Sequence, residues 1–218
     1  SIIDCVTSIG ACNVPVDDWD LDIVASGSQK GYMIPPGLSF VSMSKKAWQA
    51  SENSNLPKFY LNLKSYKKSL SSNSNPYTPA VNLVFALDES LKMMKDEGLD
   101  KIFKRHERHK LAVSEAAKTL NLKLFADENH LSPAVTAIQI EDIDAEQFRK
   151  NIKNKYDILL AGGQDHLKGK IFRVGHLGYV NDRDIITVIA AIGNTLVEQN
   201  IISTELAGKA LKIASCHL

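Results

Sequence analysis

The segment Ala25-Ser-Gly-Ser-Gln-Lys-Gly-Tyr-Met-Ile-Pro-Pro-Gly37 sets one lysine, Lys30, between three small residues and a Pro-Pro-Gly turn. The apolar run Leu21-Asp-Ile-Val-Ala25 leads in as a strand, and Leu38-Ser-Phe-Val-Ser42 leads out as another. A lysine held between two buried strands loses water around its ammonium, which favours the neutral and nucleophilic amine. Ser26, Gly27 and Ser28 leave room for a flat ligand and offer hydroxyls and backbone N–H groups to an anion. A solvated loop lysine is the competing reading, and this segment alone favours it.

Outward from it, Asp4-Cys-Val-Thr-Ser-Ile-Gly10 lies upstream. Downstream come Pro76-Tyr-Thr-Pro79, Arg105-His106, Ala161-Gly-Gly-Gln164 and Phe172-Arg-Val-Gly-His-Leu-Gly178. Together these resemble the class V aminotransferases of pyridoxal phosphate fold type I. The nearest branch is the alanine/serine–glyoxylate aminotransferases, with the cyanobacterial members labelled soluble hydrogenase small subunit. The resemblance implies an α/β chain: the rear half of a fold type I large domain over residues 1–97, then a small α+β C-terminal domain over residues 98–218. The sequence starts without Met inside a strand-like run, and lacks the Gly-rich phosphate loop and ring-stacking residue of the family's N-terminal half. The expectation is a C-terminal half, with the other half on the same or another chain.

The resemblance also implies roles. The cofactor is pyridoxal 5'-phosphate. Lys30 is the Schiff-base and proton-transfer lysine. Asp4 pairs with the pyridine nitrogen and keeps it protonated, so that the ring acts as an electron sink. Val6 packs against the ring; without the resemblance it is equally a core residue. Ser28 and Gln29 hold the phosphate. Thr78 reaches the phosphate of a neighbouring subunit, which implies a homodimer. Relatives carry a tyrosine three positions before that threonine, where this chain has Asn75. Arg173 clamps a substrate carboxylate through its planar fork. An arginine in an apolar strand is, from the residues alone, as readily explained by an internal salt bridge. His176 reads as a packing residue.

Composition limits the other classes. Across 218 residues, 44% hydrophobic content supports a substantial core, and a net charge of +1 gives no pull toward nucleic acid or an anionic membrane. No apolar run reaches the roughly 20 residues of a membrane span, and no signal peptide is visible. Cys5, Cys12 and Cys216 are odd in number and lack CxxC spacing, which fits reduced thiols in the cytoplasm.

Along the chain, Asp17-Asp-Trp-Asp20 reads as a solvated acidic turn rather than a metal site. Ser44 to Asn53 is a short helix. Residues 54–75 form a polar, basic stretch with aromatics, better explained as an interfacial loop than as a nucleic-acid site. Thr78 is placed as cap of a helix from Val81 to Lys95, with Leu83, Val84, Leu87, Leu91 and Met94 on its apolar stripe. Gly98 breaks the pattern, and a second helix runs from Leu99 to Leu120. On it, His106 and His109 read as a solvated pair without zinc-protease spacing; no metal site is expected. Strands Leu122–Phe125 and Val135–Ile140, a helix Ile143–Lys153, strands Ile158–Ala161 and Lys170–Gly175, and a helix Asp182–Gln199 complete the second domain.

Three functions compete. A transaminase would take small amino acid and 2-oxo acid substrates: alanine or serine as donor, glyoxylate or a similar acceptor. A hydrogenase subunit needs clustered thiolates that the three cysteines do not supply. A non-catalytic fragment would tether cofactor and dimerise.

Overall fold

The computed structural model describes all of the residues, Ser1–Leu218. They form two compact units, one of residues 1–9 and 14–96, the other of residues 10–13 and 97–218.

The first unit holds a three-stranded sheet ordered β1 (Ile2–Asp4), β2 (Ile23–Gly27), β3 (Ser39–Met43). β1 runs parallel to β2 with Asp4 opposite Ala25, and β3 runs antiparallel to β2 with Ser39 opposite Gly27. Only β2 has a neighbour on both sides, and its Val24, Ser26 and Gly27 are buried. The flanking strands are edges. Ile2 is 77% exposed, and β3 has no fully buried residue, so the two strands expected to enclose Lys30 are not both interior.

Three helices come next: α1 (Lys45–Glu52), α2 (Leu63–Leu70) and α3 (Val81–Glu97). Ser44 caps α1 by accepting the Ala47 N–H at 3.0 Å. The helix α2 lies inside the stretch expected to be a loop. Asn62 caps it by accepting the Lys64 N–H at 3.2 Å, and Leu63, Tyr66 and Leu70 repeat at helical spacing. Within α3 the expected apolar stripe is covered only in part: Met94 is buried beside Ser90 and Leu83 and Leu87 are half-buried, whereas Val84 and Leu91 are 48% and 46% exposed.

The second unit opens with α4 (Leu99–Thr119), preceded by Gly98 at φ 87°. Only glycine adopts that angle without strain, which ends the preceding helix there. The strands β4 (Lys123–Leu124), β5 (Val135–Gln139), β6 (Ala161–Gly162) and β7 (Ile171–Gly175) form an antiparallel sheet in the order β4-β5-β7-β6. Helices α5 (Ala145–Tyr156), α6 (Asp182–Glu198) and α7 (Thr204–Ser215) complete it. The Asn181 side chain accepts the Arg183 and Asp184 N–H groups while the Asp184 carboxylate accepts the Asn181 N–H, a capping box that fixes the start of α6.

Phe148 of α5 and Phe172 of β7 are fully buried, with ring centroids 5.3 Å apart. Ile138, Ile152, Ile185 and Leu196 close the core around them. Each such side chain contributes about 1.5–3 kcal/mol by burial. The helix α7 is not among the elements expected from the sequence. Its apolar face is mostly small, with Ala207, Ala210 and Ala214 buried, and Gly193 of α6 leaves room for the Ala207 methyl.

Candidate active site

In the first unit the loop between β2 and β3 is closed around Ser28. Its N–H donates to the Leu38 carbonyl at 3.1 Å and its carbonyl accepts the Ile34 N–H at 3.3 Å. Its hydroxyl donates to the Pro35 carbonyl at 2.8 Å and accepts the Leu38 N–H at 3.2 Å. The side chain is fully buried. Ser28 therefore braces the loop from inside, where the sequence had set it facing an anion. The Pro-Pro-Gly turn serves the same closure: Gly37 sits at φ 144°, where an L side chain is strained, and its missing Cβ leaves space for Leu83 of α3. The Ser90 hydroxyl donates to the Tyr32 carbonyl and ties α3 to the loop.

On this braced loop Lys30 is half-buried and its side chain makes no ion pair or hydrogen bond within the chain. Gln29 beside it is exposed. A Cβ on Gly27 would lie 2.9 Å from the Gln29 Oε1 and 3.7 Å from the Val6 Cγ1. The bare glycine is thus what lets the Gln29 side chain lie over the buried end of β2.

Asp4 ends β1 and is exposed, and its Oδ1 accepts the Val6 N–H at 2.9 Å. That bond turns the chain out of the strand, so Val6 lies in the turn rather than in β1 itself. The second carboxylate oxygen of Asp4 has no partner in the chain. Behind it the Cys5 thiol is buried, and burial, with the Asp4 charge second, pushes its pKa up. An inert structural thiol is the result.

Thr78 does not cap α3. The helix begins at Val81, and the Ala80 carbonyl accepts the first bonds, from Leu83 and Val84 at 3.0 and 3.1 Å. Pro79 separates Thr78 from that start and the threonine is left exposed, its hydroxyl unbonded within the chain.

In the second unit Arg173 stands at the middle of β7, opposite Ala137 on one side and Ala161 on the other. Its Nε donates to the Gly162 carbonyl at 3.0 Å, and no carboxylate lies within ion-pair distance. The internal salt bridge is thereby overturned; both terminal nitrogens stay without a partner in the chain. Gly163 is required sterically, since a Cβ there would run into the Leu167 carbonyl, whereas one on Gly162 would displace the ends of the Arg149 and Glu146 side chains.

Three histidines of this unit are fully buried, and for two of them the sequence pointed to solvent. His106 and His109 lie on the inner face of α4. His176, expected as packing, donates from Nδ1 to the Pro133 carbonyl at 3.0 Å, and its Nε2 accepts the Thr136 hydroxyl at 2.9 Å. Burial pushes its pKa down to about 4, so the ring is neutral. Thr136, its partner on β5, carried no sequence signal, because the two lie 40 positions apart.

The class-V aminotransferase family model matches residues 1–180. The chain belongs to that family. Among class-V relatives, a Synechococcus protein named soluble hydrogenase, small subunit, is 55% identical over 90% of this chain and 51% of its own length. A serine–glyoxylate aminotransferase of Methylorubrum extorquens is 33% identical over 99% of this chain and 55% of its own. The crystal structure of the ureidoglycine–glyoxylate aminotransferase of Bacillus subtilis superposes with a TM-score of 0.89 at 29% identity, covering 98% of this chain and 57% of that one. The chain spans about half the length of the curated relatives it matches. Its mixed α/β fold is that of part of a class-V aminotransferase.

Membership implies pyridoxal 5'-phosphate, and the residues present fit that group. An unpaired lysine amine, a carboxylate with one free oxygen and an exposed amide lie in one unit of the chain. No helix is long and apolar enough to cross a membrane.

Proposed function

We propose that the protein is a pyridoxal-phosphate-dependent transaminase that moves an amino group from a small amino acid, alanine or serine, to a 2-oxo acid such as glyoxylate. Lys30 carries this reading: a half-buried lysine whose amine has no ion pair or hydrogen bond in the chain, on a loop braced from within by Ser28.

The cofactor, when bound, supplies the electron sink for bond-breaking at the substrate Cα. Lys30 anchors it and moves the proton at that carbon. Asp4, with its free carboxylate oxygen, holds a positive charge on the ring nitrogen. Val6 packs against the ring, and Gln29 holds phosphate from its exposed position. Ser28 acts on the phosphate only through the loop it braces, since its hydroxyl already bonds Pro35 and Leu38. Arg173 takes the substrate carboxylate on its two unpartnered nitrogens.

Thr78 serves a neighbouring subunit, in a homodimer. Its unbonded hydroxyl and the exposed apolar residues of the same unit support this: Phe59, Leu61 and Phe85 are each more than 70% exposed. Glyoxylate as acceptor is supported by the names of the Methylorubrum and Bacillus proteins. Because the chain spans about half of its relatives, the proposal concerns the whole protein. A cytoplasmic location fits Cys5, Cys12 and Cys216, none of which is in a disulfide.

The hydrogenase name of the Synechococcus protein is not carried over. That chemistry needs several thiolates gathered on one metal, and the signal for it in this sequence is limited to three cysteines without CxxC spacing.

The test is a half-reaction in the cofactor-loaded full chain, mixed separately with alanine and with serine, followed by glyoxylate. Formation of the matching 2-oxo acid, and of glycine on adding glyoxylate, is expected. Lys30→Ala should abolish both turnover and the borohydride-fixed mass of cofactor on the chain. Normal turnover by that variant would exclude Lys30 from the chemistry.

A further inference from the structure

The segment that leaves β7 is stitched to α4 by unusually placed polar side chains. His106 donates from Nδ1 to the Ile102 carbonyl at 2.8 Å, and its Nε2 accepts the Gly178 N–H at 3.1 Å. A backbone N–H only donates, so Nε2 must carry the lone pair and Nδ1 the proton. Beside it, Arg105 donates from Nη1 to the carbonyls of Gly178 and Val180 at 2.8 and 3.0 Å. Its remaining face pairs with Glu97, at 2.7 Å from Nε and 3.0 Å from Nη2. One turn further on, Arg108 and His109 both reach the Asp182 carboxylate, at 3.1 and 2.8 Å. Both polar groups of Gly178, a residue at φ 76°, are thus held from one helix.

This matters because of where β7 loses its second neighbour. The short strand β6 pairs only with Phe172 and Arg173. Past Arg173, β7 is held by β5 and the residue before it alone, through Val174, Gly175 and the His176 N–H, which donates to the Ala134 carbonyl at 3.0 Å. A strand end with one neighbour and a terminal glycine frays readily. His176 and the Arg105–His106 pair hold the segment beyond Gly175 in place.

We propose that His106 is a positioning residue for Arg173: by holding Gly178 it keeps the end of β7 in register and fixes how the arginine presents its two free nitrogens. A buried histidine in mid-helix is otherwise a poor choice, since it brings two polar nitrogens into the core and a weak helix former into α4. Leucine would fill the same place without either difficulty. The proposal rests on the reading of Arg173 as carboxylate clamp.

Two variants separate the bonds. His106→Gln keeps an acceptor where Nε2 lies, and His106→Asn keeps only a donor toward the Ile102 carbonyl. In the cofactor-loaded full chain, His106→Asn should raise KM for the 2-oxo acid roughly tenfold with little change in kcat, the effect of losing one buried bond. Amide hydrogen exchange of residues 176–182 should accelerate in the same variant. His106→Gln should restore both. If His106→Asn does not fold, Arg105→Gln, which drops the bonds to Gly178 and Val180, must give the same KM rise. Equal KM in the Asn and Gln variants, or unchanged exchange in the Asn variant, overturns the proposal. Arg173→Gln is the control. A wild-type KM there would sink the clamp reading and this proposal with it, whereas a raised KM there beside an unchanged one in His106→Asn sinks only the link from His106.

Discussion

Arg173 donates one bond to the carbonyl of Gly162 at 3.0 Å and leaves both of its terminal nitrogens without a partner in the chain. The Nε bond orients the guanidinium along the sheet, and the antiparallel pairing with Ala137 and Ala161 fixes its Cα. A half-buried guanidinium so held is pre-arranged for a planar, two-oxygen anion.

Arg173→Lys should therefore weaken substrate binding and leave cofactor content unchanged. An ammonium has no second prong and no Nε to keep the Gly162 bond. The loss is ~1.5–3 kcal/mol, or about 10- to 100-fold in KM. Steady-state kinetics with bound cofactor measured by absorbance checks it. A variant that loses cofactor while keeping its KM would point to a purely structural arginine.

Asp4→Asn separates two jobs of one side chain. The amide oxygen can still accept the Val6 N–H that now lies 2.9 Å from Oδ1, so the strand end and the thermal stability should survive. In the proposed role of Asp4 the negative charge that would hold the ring nitrogen protonated is lost, and kcat should fall by orders of magnitude with KM little changed. Stopped-flow rates of the half-reaction with alanine or serine decide it. An unchanged rate would reduce Asp4 to a strand-end cap.

Acid should destabilise the second unit through its buried histidines. Burial holds His176 down to about 4 and pushes His106 and His109 in the same direction. For a base with a depressed folded-state pKa, stability is fully present above the ordinary value of 6.5 and drains away as pH falls toward 4. For His176 the loss is on the order of 3 kcal/mol across that window. His176→Asn, which keeps a donor for the Pro133 carbonyl, should flatten the fall of the melting temperature between pH 6.5 and 4. An identical slope in the variant would show that His176 does not govern the acid response.

The outer face of α3 offers a further test. Val81, Val84 and Phe85 are 54%, 48% and 72% exposed, more apolar surface than a solvated helix carries without a partner. With the proposed homodimer, Phe85→Glu should shift the light-scattering mass of the full chain from dimer toward monomer and reduce activity, because Thr78 would then lack a neighbour to serve. A dimer unaffected by this charge would place the interface elsewhere.

Much of this protein is decided by local sequence. Gly98, Asp144 and Asn181 mark helix ends because a cap or a left-handed turn involves residues only a few positions apart. The closure of the loop that bears Lys30 was likewise legible in Pro35-Pro36-Gly37, since proline and glycine restrict or free the backbone wherever they occur. Partners across long separations were not legible. Whether Arg173 meets a carboxylate, whether His106 faces water or Gly178 across 72 positions, and which side of α3 is buried depend on what packing brings alongside. The helical period gives the apolar side of a helix but cannot say which element will cover it. For α4 the cover was the segment after β7, and it turned two histidines that read as solvated into buried ones.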